Sequence, residues 1–446
     1  MRNLNHGRFE QQIKFLRRQF LQDGDLPFAK VLTSASIAKA VQLAGLNWRE
    51  RIFTPIITLW VFLGQVLSAD NCCRAAVARL NAHRVSLGSS PVSAATGGFC
   101  QARTRLPEGF FAAIARHTGR EIENAVHKPW LWMQRRVLMF DGTIVSMPDT
   151  EENQAEYPQP PSQRPGVGFP LARIAAIFSF STGAVIDLGI AAYSGKSQGE
   201  LSLLRQLIGV FLPGDVMLAD RLMCSWREMV MLKSRGVDVV TRLTSHRSAD
   251  FRRGKRLGKD DHIVRWAKPD LRPAEFADKD LPDYLDVRET RITVDHAGFR
   301  ALSIILVTTL LDDKLITAHD LQQLYRARWH NEFDLQIWTH IISYNLIRAM
   351  IAQAAMKHAI EPRTISFKGA MQTLAAFQSV IKAVCQRSKL RIEIYLQVLD
   401  AIATHRVAKR PDRFEPRLKK RRDGRYDRLT KPRHIAKCQI QRRLRR

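Results

Sequence analysis

The chain has 446 residues, 45% of them apolar, which is too long for one ordinary core and too apolar for a disordered polymer; about three domains are expected. Its 70 Lys and Arg against 42 Asp and Glu leave a formal charge of +28, which points to a polyanionic partner, nucleic acid first. Cys72, Cys73, Cys100, Cys224, Cys385 and Cys438 form no CxxC pair or paired framework, so a reducing cytosol is expected and a structural zinc is not. The opening "MRNLNHGRFEQQIKFLRRQF" is charged throughout, so no secretory signal is expected. The uncharged stretch 52–69 contains Thr54, Pro55, Thr58, Gln65 and Ser68, and reads as a buried helix rather than a membrane span.

Residues 1–130 read mostly as helix: "ASIAKAVQLAG" and "TPIITLWVFLGQVL" carry apolar residues at three- and four-residue steps. "SAATGGFCQARTRLP" is a turn followed by a helix bearing Arg103 and Arg105, either DNA-facing or simply solvated. From about 135 the texture changes. "RRVLMFDG" reads as a strand stopped by Asp-Gly, and "ARIAAIFSFSTGAVIDLGIAAY" as two strands around a turn. "GELSLLRQLIGVFLPGD" has a helical stripe, "VMLAD" is a short buried strand, "WREMVMLKSRG" a helix and "VDVVTRL" a strand. That order builds an α/β domain, a mixed sheet flanked by helices, over 131–345. It is interrupted by a β-rich insertion at 244–313, charged and turn-rich first, then strand-like. Helical stripes return over 346–405, and a basic tail follows at 406–446.

Asp141 stands at the end of the first of these strands and Asp220 at the end of a later one; Glu332 follows the insertion on a helical stripe with Tyr325 and Arg328. Strand-borne carboxylates plus one from a helix suit Mg²⁺, which takes oxygen ligands and keeps waters for substrate phosphates to replace. Two such ions stabilise both oxygens of an in-line phosphoryl transfer, and Tyr325 and Arg328 would grip the phosphate beside them. Each piece has a plainer reading. Asp141-Gly142 also makes a turn, Asp220-Arg221 an ion pair capping a helix, and Glu332 a surface bridge to Arg328.

"FDGT" at 140–143, "GDVMLADR" at 214–221, "RGVDVV" at 235–240 and "YRARWHNE" at 325–332 together resemble the DDE transposases of bacterial insertion sequences, the family-four type with the signature Tyr-x2-Arg-x3-Glu-x6-Lys. The resemblance runs from "LWVFLGQVL" to "EPRLKKRR". It implies a ribonuclease H-like catalytic domain behind a helical N-terminal domain that binds the element's ends. It makes Asp141, Asp220 and Glu332 the metal-binding triad for two Mg²⁺ ions, for which Mn²⁺ can substitute. Tyr325, Arg328 and the tail residues Arg417, Lys419, Lys420, Arg421 and Arg422 become contacts to DNA phosphates. The implied partners are double-stranded DNA, as terminal inverted repeats and as target, and a second copy of the chain in a synaptic complex. The implied chemistry is strand cleavage at the element's end, a hairpin intermediate and strand transfer. Trp266 is a counterpart of the family's aromatic residue that stacks on a flipped base. The implied setting is the bacterial cytoplasm at the nucleoid, with no membrane role.

The signature asks for lysine at position 339, where this chain has Thr339, and "EFDLQ" runs directly into "IWTHIISYNLIR". Against the family's spacing this reads as an internal deletion of about two dozen residues, with His340 a weak substitute because an ordinary imidazole is mostly neutral at pH 7. Two functional readings follow, an Mg²⁺-dependent transposase or an internally deleted remnant that only binds DNA or inhibits an intact enzyme. From Arg406 to Arg446 the tail has 18 basic and 4 acidic residues, a net +14. Its removal is expected to weaken DNA binding for all sequences alike and to flatten the salt dependence in binding titrations. An unchanged slope would place the tail away from DNA.

Overall fold

The structure is a computed structural model that describes residues 33–48, 51–66, 72–86, 90–270, 281–294, 302–328, 338–383 and 388–407. The first elements are α1 (Ser34–Leu43), α2 (Pro55–Val66), α3 (Cys73–Ser86), α4 (Gly97–Thr104) and α5 (Glu108–Asn124). Then come β1 (Val137–Ser146), α6 (Glu151–Glu156), β2 (Leu171–Ser179), β3 (Val185–Ala192), α7 (Glu200–Leu207), β4 (Val216–Ala219), α8 (Trp226–Ser234) and β5 (Asp238–Arg242). The chain continues through β6 (Lys255–Gly258), β7 (Asp261–Ala267), β8 (Tyr284–Val294), β9 (Leu302–Thr308) and α9 (Ala318–Arg328) to α10 (Trp338–Lys357), α11 (Phe367–Ala383) and α12 (Ser388–Thr404). Two compact units result. One falls within Met1–Gln134, Phe178–Asp187 and Leu335–Ala408, the other within Arg135–Ile177, Leu188–Asp334 and Lys409–Arg446.

The first unit is helical. Thr33 caps α1, its hydroxyl accepting from Ser36 N at 3.1 Å. α2 is apolar nearly all round and buries Ile56, Ile57, Leu59, Trp60, Val61 and Leu63, as a core helix should. Among the described residues no helix is long and apolar enough to cross a membrane. Ile57 and Val61 of α2 pack with Ala76, Val77 and Leu80 of α3 and Phe99 of α4. Arg103 lies 4.8 Å over the Phe62 ring and donates to Gln65 Oε1 at 3.3 Å, so it packs within this unit, while Arg105 is exposed. α10 packs on α2, α5, α11 and α12. Its buried Asn345 exchanges two 2.9 Å hydrogen bonds with the main chain of Val185, giving that amide and carbonyl partners.

Nine described strands form one sheet in the order β3-β2-β1-β4-β5-β9-β8-β7-β6. β1, β4 and β5 pair in parallel, and their paired residues are buried, which is the pattern of a sheet covered on both faces. β9 pairs antiparallel with β5, and β8, β7 and β6 follow antiparallel in turn. The β-rich insertion therefore extends the same sheet. Within it the fully buried Arg288 is met by Asp261 and by the Ile316 carbonyl, which offsets the cost of burial.

Asp-Gly does not stop β1 as the sequence suggested. The strand runs on to Ser146, past the point where its neighbour β4 ends at Ala219. The stretch 324–340 was expected to be helical: α9 covers it to Arg328 and α10 resumes at Trp338, and the residues between lie outside the described structure.

Asp238 ties three elements together at the start of β5. Lys233 Nζ lies 2.6 Å from its Oδ1, Arg135 2.7 Å from its Oδ2, and Thr309 Oγ1 donates to Oδ1 at 2.7 Å. Burial alone would raise this carboxyl; the bonds from Lys233, Arg135 and Thr309 outweigh it and hold the group below its ordinary range. A depressed folded-state pKa stabilises the fold above the unfolded value, near pH 4, and that contribution is lost as pH falls through the lower folded value. Asp238→Asn is expected to cost about 1–3 kcal/mol in urea unfolding at neutral pH. Its deficit against the parent should shrink as the pH drops below about 4.

Candidate active site

The parallel register of β1 and β4 pairs Phe140 with Ala219. Asp141 continues β1 and Asp220 is the first residue past β4, so their backbones stand about one strand spacing apart, roughly 5 Å. Both are half-buried. Asp141 Oδ1 accepts from Gly142 N at 3.1 Å. Asp220 caps a short 3-10 turn, with Oδ1 accepting from Leu222 N at 2.9 Å, and its carbonyl takes a hydrogen bond from Thr241 of β5. Asp220 thus caps this turn through a main-chain amide, where the sequence suggested an ion pair with Arg221.

A third carboxylate joins them from an element the sequence reading left out of the chemistry. Glu200 is the first residue of α7, after Gly199 at the N-cap. Its Oε1 meets Arg173 of β2 at 3.0 Å. Arg173 also donates to the Tyr193 carbonyl at 3.3 Å and lies 5.5 Å over the Tyr193 ring. Burial pushes the Glu200 carboxyl up; Arg173 opposes the rise, and the negative charges of Asp220 and Asp141 add to it. Glu200 rests against the backbone of β1: a Cβ placed on Gly142 would stand 2.6 Å from Glu200 Cδ. In the sequence a glutamate at a helix start reads simply as a charge favoured by the helix dipole, so only the fold reveals its neighbours.

The other expected site residues are placed unevenly. Tyr325 lies on α9 and is 1% exposed, so the hydroxyl would have to be uncovered to reach a phosphate. Arg328 is the last residue of α9. Glu332 and the tail residues Arg417, Lys419, Lys420, Arg421 and Arg422 lie outside the described residues, while Thr339 and His340 belong to the first turn of α10. Trp266 on β7 is buried; its Nε1 donates to Glu289 Oε1 at 3.0 Å, and Arg247 stands 4.1 Å over its ring. Glu289 also meets the buried His262 at 3.1 Å. Burial pushes the Cys224 thiol up to about 12, so it supplies no nucleophile near neutrality.

Among the described residues no three acidic, His or Cys side chains are close enough to hold a metal ion by themselves. The donor type is nevertheless that of a hard divalent cation's ligands, carboxylate oxygens from Asp141 and Asp220 at neighbouring strand ends. Gly142→Ala is expected to dislodge Glu200 from Arg173 and cost about 1–3 kcal/mol in urea unfolding. Adding Glu200→Ala to it should return part of that loss, since the double variant removes the collision.

Comparison with known proteins bears on this site directly. Residues 132–345, which contain Asp141, Asp220, Tyr325, Arg328 and Glu332, match the family model described as the transposase DDE domain. The chain is 22% identical over 407 residues to transposase InsG for insertion sequence element IS4 from Escherichia coli strain K12, an alignment covering 85% of this chain and 88% of that protein. It also overlaps a cryo-EM structure of the piggyBac transposase synaptic complex with hairpin DNA, at 9% identity over 96% of this chain and 89% of that one. The TM-score of that overlap is 0.36, too low to carry an argument. The strands that bear both aspartates thus lie within a stretch matching the transposase DDE domain, and the chain is similar along most of its length to a transposase of the IS4 type.

Proposed function

We propose that this chain is a transposase that cuts and joins DNA by phosphoryl transfer at a site made by Asp141, Asp220 and Glu332, moving its element by cut and paste. The observation that carries this is the β1–β4 register, which sets Asp141 beside Asp220 inside the matched DDE domain. The strand order β3-β2-β1-β4-β5, with β1, β4 and β5 parallel, supports a ribonuclease H-like core over 131–345, with residues 244–313 as its insertion. Two Mg²⁺ ions bound by the three carboxylates would supply positive charge to the attacking and leaving oxygens, and Mn²⁺ can replace them.

The chain's own residues do the remaining work. Asp141 and Asp220 offer acceptor oxygens on rigid, paired strands, so little reorganisation is needed when charge arrives. Arg328 orients a phosphate from the end of α9, with Tyr325 beside it once its hydroxyl is uncovered. The helical region 1–130 binds the element's terminal inverted repeats. The tail holds phosphates without reading bases, through Arg417, Lys419, Lys420, Arg421 and Arg422. Stacking of a flipped base on Trp266 requires Arg247 to leave the ring face it now covers. Two copies would pair the two element ends at the bacterial nucleoid.

One observation favours a second reading, a remnant that binds DNA without cutting it: Thr339 stands where the signature has lysine. A single assay separates the two. Asp141→Asn, Asp220→Asn and Glu332→Gln are each expected to lower Mg²⁺-dependent cleavage of terminal-repeat DNA by about a hundredfold or more, with DNA retention in gel shifts unchanged. If the parent cuts no better than Asp141→Asn while both still bind, the remnant reading holds. Inserting the missing segment with its lysine should then restore cutting.

A further inference from the structure

We propose that α4 is the helix that reads the terminal repeats, with Gln101 and Arg105 contacting base edges in the major groove of duplex DNA. The inference rests on the reading of residues 1–130 as the end-binding region and names the side chains in it that select the sequence.

Charge is the first indication. Residues 71–107 contain five arginines and no carboxylate, in a chain with 42 Asp and Glu, and α2 beside them has no charged residue at all. Such a surface attracts a polyanion. Three of the arginines serve the packing: Arg79 donates to the Gly64 carbonyl at 3.3 Å, Arg84 to the Ser90 carbonyl at 2.9 Å and Arg103 to Gln65. Arg74 on α3 and Arg105 at the end of α4 are exposed.

The position of α4 is fixed from behind. Asn81 of α3 accepts from Val92 N at 2.7 Å and donates to the Val92 carbonyl at 2.9 Å, which ties the loop before α4 to α3. The helix then has two distinct faces. Phe99 is fully buried and packs on α2 and α3, with Arg103 on the same side over the Phe62 ring. Gly97, Gln101, Thr104 and Arg105 are exposed and stand at steps of three and four on the other side. A short helix held on two others, with its polar face outward, has the form that enters a major groove. Gln matches adenine N6 and N7, and Arg matches guanine O6 and N7, so this face carries readers for both purines. The Thr104 hydroxyl donates to the Gln101 carbonyl at 3.0 Å, which leaves Gln101 and Arg105 as the pair turned outward.

A helix face that is merely solvated, with Arg105 complementing the helix dipole, would not affect sequence preference. Gel shifts of the full-length protein in EDTA, where no strand is cut, distinguish the cases on two duplexes. One is the element's terminal repeat, the other a scrambled duplex of equal length and composition, both at one salt concentration. Gln101→Ala and Arg105→Ala are each expected to lower the ratio of the two affinities about tenfold, mainly by loss of repeat binding. Arg74→Ala, which removes a phosphate contact on the neighbouring helix, should weaken both duplexes alike and keep the ratio. Both α4 side chains are exposed, so melting temperatures should match the parent's; were one variant not to fold, the other decides. A parental ratio in the folded α4 variants, or equal weakening on both duplexes, overturns the proposal. The underlying reading fails separately: a parent with no preference for the repeat removes end binding itself, and the proposal with it, whereas a preference that survives both substitutions faults α4 alone.

Discussion

The proposed function rests on parallel pairing between β1 and β4, two strands far apart in sequence. β1 and β4 are apolar enough to be buried on both faces, and their hydrogen-bonded register is in turn what sets Asp141 beside Asp220. A slip of one residue in that ladder would turn one carboxylate to the opposite side of the sheet. The buried apolar side chains of Val137–Phe140 and Val216–Ala219 oppose such a slip, so the hydrophobic core and the chemistry share one constraint. Asp238 and its three partners secure β5 beside β4, and Thr241 of β5 holds the Asp220 carbonyl.

Polar pairing elsewhere follows a consistent rule: charges that the fold buries are met by partners. Arg288 has Asp261 and a carbonyl, Glu228 has Arg205, Asp215 has Arg136, and His262 and Trp266 share Glu289. Asp141 and Asp220 contrast with these. Each accepts from a backbone amide close by, Asp141 from Gly142 N and Asp220 from Leu222 N. A transposase must stabilise charge on a transferring phosphoryl group, and groups of this kind on a rigid sheet can do so without reorganising.

Much of this was legible in the residues. The apolar runs between Gly and Asp punctuation marked β1, β4 and β5, and the helical stripe of α7 and the Ser-Thr-Gly turn between β2 and β3 were equally plain. The motifs around Asp141, Asp220 and Tyr325 together carried the resemblance to the DDE transposases. What escaped is what depends on distant contacts. The extension of β1 beyond Asp-Gly is one case, since Gly142 there makes room for Glu200 and does not turn the chain. The joining of β9 to β5 is another, because pairing between remote strands leaves no periodic trace. Trp266 owed its base-stacking role to the family resemblance alone; Glu289, which accepts its Nε1–H, stands on the adjacent strand and 23 residues along. One local signal was overlooked: Thr150, with Glu151 and Glu152 after it, caps and charges the start of α6.

The central claim is that the side chains at 141, 220 and 332 converge on shared divalent ions. Anomalous diffraction from crystals of the full chain grown with Mn²⁺ tests it most directly. The account predicts metal peaks lodged between the carboxylates of Asp141 and Asp220 with Glu332 in reach. Carboxyl groups separated by more than about 10 Å, with no peak between the two aspartates, would contradict it.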